Sequence, residues 1–342
     1  MFVLRDVTPD DLDHLLAVAG FLDSVNLPED RGYLSALIAT SQKSFAAQTE
    51  VADRKFVFVL VDPDGERVVG VSMVFAQHGS RRSPHIFFDV IHEERYSETL
   101  DRHFAHQVLR IGYNYKGLTE IGGLVLLPEY RHHHDQLGRL LSYVRFLYIA
   151  NHRRMFCDEV VSELMPPLEA NGTSLLWEAL GRQFTGLSYQ EADRLSQTNK
   201  EFIRALFPQD PLYATLLPPH VQELIGKVGP ETKGVERMLR EIGFAYAHRI
   251  DPFDGGPHFH ARTDDITLVA GTQHALLSPD EPPPDALLRR CLVARESAAE
   301  HRFLAVKTAA PPLGNDGTLA LPADARRALR LMPGDQLAVL PF

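Results

Sequence analysis

Residues 121–150 read IGGLVLLPEYRHHHDQLGRLLSYVRFLYIA. The apolar run over 119–128 ends at Pro128, which cannot donate to a strand ladder and so closes a strand. From Leu137 onward apolar residues recur at helical spacing, and a strongly apolar helix follows. Between strand and helix lie Arg131 and three consecutive histidines, His132, His133 and His134. The first amides of a helix have no internal partners, and the helix dipole is positive there, so such a junction is a ready anion site. Arg131 adds charge and Gly138 permits close backbone approach. A pyrophosphate fits this description, and so does a polar exposed loop. A metal fits less well, because residues 132, 133 and 134 point in different directions in a strand or a helix.

Upstream, FVLRDVT alternates as a strand, and PDDLDHLLAVAGFLD reads as a helix with Asp10 or Asp11 near its start. A second helix covers LPEDRGYLSALIATSQKSFAA, with Pro28 and Glu29 suited to its first turn. RKFVFVLVDPDGERVVGVSMVFAQ places two β-branched runs around Asp62-Pro63-Asp64-Gly65, a hairpin signature. Downstream, DEVVSELM reads as a strand. GVERMLREIGF reads as a helix closed by Gly243, and AYAHRIDPFDGGPHFHARTDDI as two strands around Asp254-Gly255-Gly256. This order predicts an α+β fold, a mixed sheet covered by helices, with a helical and loop-rich insertion at about 166–232. SPDEPPPDALLRR reads as a Pro-rich linker into a small β-rich segment. The expected domains are 1–269 and 270–342.

The chain has 342 residues and a net charge of −10, with 44% apolar and 23% charged residues. That is the profile of a globular protein and argues against a general nucleic-acid or anionic-membrane surface. Two cysteines, Cys157 and Cys291, make neither a disulfide framework nor a zinc-finger spacing. No basic start with an apolar run marks a signal peptide, and no stretch of 18 apolar residues marks a membrane span. A cytoplasmic enzyme is expected.

The chain resembles the arginine N-succinyltransferase family of GNAT-like acyltransferases. The resemblance runs through LVLLPEYR…GRLLSYVRFLYIA, VVSELM, SLLWEALGRQF, IRALFPQDPLYATLLP and LREIGFAYAHRIDPFDGGP. It implies a GNAT-type twisted mixed β-sheet flanked by helices. It also implies transfer of succinyl from succinyl-CoA to the α-amino group of L-arginine in arginine catabolism. By that resemblance the backbone of Leu124, Val125 and Leu126 receives the pantetheine arm, and Arg131, Gly138 and Arg139 receive the pyrophosphate. Glu163 and His258 are the catalytic candidates. Glu163 and Asp254 are the candidates for the cationic substrate, because a guanidinium seeks a carboxylate. No metal is expected. The expected partners are the two small substrates and a second copy or a related subunit.

Two departures stand against the pattern. The family's general acid is a histidine in a Gln-Val-His-Pro stretch, where this chain has GKVGPET and therefore Gly229. The family's turn, Arg-x-x-Gly-x-Gly, is here about two residues longer and one glycine poorer. Three readings follow: an active enzyme using another acid such as His220, His248 or His258; one subunit of a heteromeric enzyme; or a non-catalytic relative. Restoring histidine at 229 is expected to raise activity if only the acid is lost. The C-terminal GTLALPADARRALRLMPGDQLAVL is similar to the swapped-hairpin barrels of AbrB-type DNA-binding proteins, and a structural or dimer-forming role is expected for it.

Overall fold

The structure is a computed structural model that describes residues 1–21, 27–63, 67–81, 83–196, 199–297 and 301–342. These form two compact units: Met1–Gln77 with Thr119–Asp158 and Thr263–Phe342, and His78–Leu118 with Glu159–Arg262. In chain order the strands are β1 (Val3–Asp6), β2 (Lys55–Val61), β3 (Val68–His78), β4 (His85–Ser97), β5 (Arg102–Asn114), β6 (Leu118–Leu126), β7 (Glu159–Glu163) and β8 (Leu212–Tyr213). They continue with β9 (Ala245–Ile250), β10 (Pro257–Arg262), β11 (Gln273–Leu277), β12 (Arg289–Glu296), β13 (Phe303–Ala310), β14 (Thr318–Leu319) and β15 (Gln336–Pro341). Among the helices of the first unit are α1 (Leu12–Ala19), α2 (Arg31–Phe45) and α3 (Leu137–Asn151).

In the first unit the strand order is β14-β11-β15-β12-β13-β1-β2-β3-β6. β11 and β14 run parallel and β1 is antiparallel to both β2 and β13, so the sheet is mixed as expected. Phe56 to Leu60 of β2 are all buried completely, the pattern of a strand covered on both faces. Val57 and Lys55 donate their amides to the hydroxyls of Ser41 and Ser44, 3.0 Å each, which ties α2 to the strand. Tyr148 of α3 packs 4.8 Å from the ring of Phe56 and 5.5 Å from that of Phe303. Residues from β11 to β15 share a core of their own, including Leu277, Val293, Val306 and Leu329, while β13 pairs with β1 in register Val3↔Val306. Residue 270 falls within this unit.

The second unit has the order β7-β10-β9-β4-β5-β8. The helices of the expected insertion pack on it around Trp177, Phe207 and Ile203. The hairpin β4–β5, thirteen residues in each strand, carries no clear signal in the sequence. Its outer half, Glu93 to Phe104, is largely solvated and polar, so the alternation that marks a half-buried strand is lost there.

Elsewhere the sequence is close. β2 and β3 form the expected hairpin, although Asp64 and Gly65 of its turn lie outside the described residues. α2 begins at Arg31, not at Pro28 and Glu29, because the Asp30 carboxylate accepts the Tyr33 amide at 2.7 Å and caps the helix there. Among the described residues no helix is long and apolar enough to cross a membrane.

β1 is anchored by an ion pair. Both Arg5 guanidinium ends donate to Asp11, at 2.6 and 2.7 Å, and Asp11 also accepts the Thr8 amide at 2.8 Å. Burial opposes ionisation of Asp11, yet Arg5 holds its carboxyl below the usual range. Asp11 therefore stabilises the fold above about pH 4 and loses that contribution as pH falls through its folded value. Asp11→Ala leaves Arg5 desolvated and unpaired, and urea unfolding at pH 7 is expected to show a loss of about 3 kcal/mol.

Candidate active site

The residues expected to receive the acyl donor all lie in the first unit. Gly123 has φ +55 inside β6, and a Cβ there would stand 2.0 Å from the Met73 methyl, so this left-handed backbone requires glycine. A kink of this kind re-aims the residues that follow it. Leu124 and Leu126 are half-buried and Val125 is buried. Arg131 is exposed, and its Nε donates to the Leu126 carbonyl at 3.2 Å. α3 then starts at Leu137 behind Gln136, whose backbone is left-handed and whose side chain makes no cap bond. The Arg139 amide donates to the Gln136 carbonyl at 2.8 Å, which leaves the amides of Leu137 and Gly138 to an acceptor from outside the helix. Gly138 faces open space, with nothing within 4 Å of where a Cβ would be, and the Arg139 guanidinium lies 5.7 Å from the Tyr143 ring centre.

The histidine run is a folded loop. Asp135 accepts Lys307 Nζ at 2.8 Å, a bond that lowers its pKa, and its amide donates to His133 Nδ1 at 3.2 Å. His133 and His134 have ring centres 4.2 Å apart, and with Asp135 their ligand-capable atoms lie within 4.8 Å of one another. The expectation that these side chains diverge assumed strand or helix backbone. His132 at φ +64 and Gln136 at φ +56 make the segment neither, and the side chains converge. The carboxylate they share is occupied by Lys307.

The residues expected at the amine acceptor, Glu163, Asp254 and His258, lie in the second unit. β7 and β10 are antiparallel with Glu163 directly opposite His258, so both side chains fall on one face of the sheet. His258 Nε2 stands 3.6 Å from Glu163 Oε1. A residue that the sequence reading missed, His85 at the start of β4, comes closer, with Nε2 2.8 Å from the same oxygen. Nothing in the linear sequence links positions 85 and 163. The two imidazoles stack, 5.1 Å and 20° apart, and are 1% and 0% exposed, whereas the Glu163 side chain is 28% exposed. Glu163 is thus the member of the group that faces outward.

Burial pushes the imidazoles toward their neutral forms, His258 to about 3 and His260 to about 4, and His85 moves the same way despite Glu163. Burial opposes ionisation of Glu163 also, but its two histidine neighbours hold it well below the usual carboxylate range. Neutral His85 therefore donates Nε2–H to ionised Glu163, which leaves Nδ1 as a buried nitrogen without a bond.

Two more carboxyls complete the group. Asp251, also missed from sequence, accepts the amides of Phe253 at 2.7 Å and Asp254 at 3.2 Å through Oδ1. Asp254 accepts the Gly256 amide at 2.7 Å, the self-capping role its turn position suggests. Burial and the charge of Glu163 push Asp251 up to about 7, and burial and Asp251 push Asp254 well above its ordinary value. The turn is fixed from behind, because Phe253 stacks on Trp177 at 5.1 Å and 8°. The two most distinctive stretches of the sequence, SLLWEALGRQF and DPFDGGP, meet in that contact. Glu163 is the carboxyl of the three held ionised, and a bound cation would draw Asp251 and Asp254 back toward their charged forms.

Glu163, Asp251 and His258 also have ligand-capable atoms within 4.8 Å, as do His78, His85 and Glu163, so either trio could be drawn onto a metal ion. The 2.8 Å between His85 and Glu163 is a hydrogen-bond length, shorter than two ligands of one ion usually stand. His220 and His248, the other expected stand-ins for the missing acid, are exposed. Gly229 is tightly enclosed: a Cβ would meet the Pro166 carbonyl oxygen at 2.7 Å and its carbon at 2.9 Å.

A mixed sheet with a strand–turn–helix junction in one unit, and an outward carboxylate backed by imidazoles in the other, are parts that suit an acyltransferase. The chain belongs to the arginine N-succinyltransferase beta subunit family, whose sequence profile matches residues 2–268. It is 32% identical to arginine N-succinyltransferase subunit beta of Pseudomonas aeruginosa, over 99% of this chain and 98% of that one. It is also 32% identical to arginine N-succinyltransferase of Yersinia enterocolitica, over 99% and 97%. The solved structure of arginine/ornithine succinyltransferase subunit AI from Pseudomonas aeruginosa superposes with a TM-score of 0.83 at 28% identity, covering 100% of this chain and 98% of that one.

Gly229→His therefore does not simply restore an acid, as the sequence suggested. The side chain meets backbone that cannot move cheaply, and a thermal or urea scan is expected to show a loss of about 2 kcal/mol or more. His258 gives a pH signature. Unfolded, it protonates below about pH 6.5; folded, it stays neutral to about 3. The unfolded state binds the extra proton in that window, so stability falls as pH drops, by up to about 1.4 kcal/mol per unit. Asp251 opposes this, so the readout is a difference: between pH 6 and pH 5, His258→Leu is expected to lose less stability than the parent.

Proposed function

We propose that the chain transfers the succinyl group of succinyl-CoA to the α-amino group of L-arginine. The observation that carries this reading is the ionised, outward-facing Glu163 beside Asp251 and Asp254, backed by neutral buried imidazoles. The guanidinium stays charged throughout and is received by the carboxyls Asp251 and Asp254, each with one oxygen held by backbone amides. The α-amine must react in its neutral form, and Glu163 takes its proton. Nitrogen bonds to the thioester carbon, the carbon–sulfur bond breaks, and the proton passes to the departing thiolate to give free CoA. Leu124, Val125 and Leu126 receive the pantetheine arm, and Arg131, Gly138, Arg139 and the first turn of α3 receive the pyrophosphate. Assembly as a homodimer or with a related subunit is part of this proposal, and the Pseudomonas relatives are themselves named as subunits.

Gly229, where the resemblance places an acid histidine, favours a second reading: an impaired subunit that needs a partner's chemistry. Thiol release from succinyl-CoA with L-arginine, run beside CoA calorimetry, separates the two. Turnover is expected, with Glu163→Gln lowering kcat on the order of 10²-fold or more, and Asp254→Asn acting chiefly on the KM for arginine. Absence of CoA binding overturns the first reading; binding without turnover favours the second.

A further inference from the structure

The proposed reaction lacks the histidine expected at 229, yet the second unit gathers imidazoles around Glu163. We propose that His85 is a positioning residue for acyl transfer, its Nε2–H fixing the Glu163 carboxylate toward the acceptor amine. Glu163 thereby takes the proton from nitrogen and returns it to the thiolate without a separate acid. This rests on the reading of Glu163 given above.

The geometry is specific. His85 is 1% exposed and cannot touch a substrate, so it acts through the oxygen it holds at 2.8 Å. Its ring cannot drift: His258 stacks on one face at 5.1 Å, His78 meets it edge-on at 4.8 Å, and Phe87 lies 5.6 Å away. His258 is itself fixed opposite Glu163 by the β7–β10 register but stands 3.6 Å from that oxygen, beyond hydrogen-bond reach. His85 is therefore hydrogen-bonded to Glu163, and His258 is not.

The test compares His85→Phe and His85→Gln in the full chain, with folding checked by circular dichroism and melting temperature. A glutamine side-chain N–H reaches to about where Nε2 stands, and phenylalanine fills the space without a donor. His85→Phe is expected to lower kcat on the order of 10²-fold, as a misplaced catalytic group does, with the KM for succinyl-CoA unchanged within about twofold. His85→Gln is expected to recover most of that loss. Full activity in His85→Phe overturns the proposal, and so does equal loss in both variants, which marks a packing role. If His85→Phe does not fold, His85→Asn replaces it, since its shorter amide falls short of the oxygen; activity equal to that of His85→Gln then overturns the proposal. An inactive parent chain overturns the reading of the reaction itself.

Discussion

One carboxylate among buried imidazoles is the constraint on which the second unit turns. His258 and His85 hold Glu163 in its ionised form, His85 through a donor at 2.8 Å. Charged rings at 0–1% exposure would carry a large desolvation cost, so burial favours the neutral rings. The β7–β10 register, the first residue of β4 and the acid turn all serve to hold this group together.

The acid turn shows how a polar site is kept from collapsing. Asp251 and Asp254 are bound to local backbone amides through one oxygen each, so both side chains are already oriented. Trp177 under Phe253 makes the backbone rigid, and it comes from the insertion, not from the sheet. The insertion is thus the foundation of the site and more than a surface elaboration.

The altered junction after β6 answers a different demand. Its longer loop is held on β13 through Lys307 and Asp135, within the first unit. The histidines fold back on that loop, yet Gly138 and the uncapped start of α3 stay open. At Gly229 the backbone of Met165 and Pro166 closes over the position and leaves no room for a side chain.

The sequence by itself determined the local elements and the family. Periodicity, Pro128, the β2–β3 hairpin and the DPFDGGP turn are nearest-neighbour properties, and they name Glu163, His258 and Asp254 as candidates. It gave no access to His85, because a residue 78 positions from Glu163 is brought to it only by strand pairing. It could not rank His258 against His85, since a 3.6 Å and a 2.8 Å approach differ by register and ring packing alone. It misjudged the histidine run by assuming regular backbone where two left-handed residues bend the chain. The crowding at Gly229 was likewise invisible, because the atoms that fill its space belong to residues 165 and 166. Tertiary structure decided which side chains share a proton, because that depends on ångström separations between segments distant in sequence.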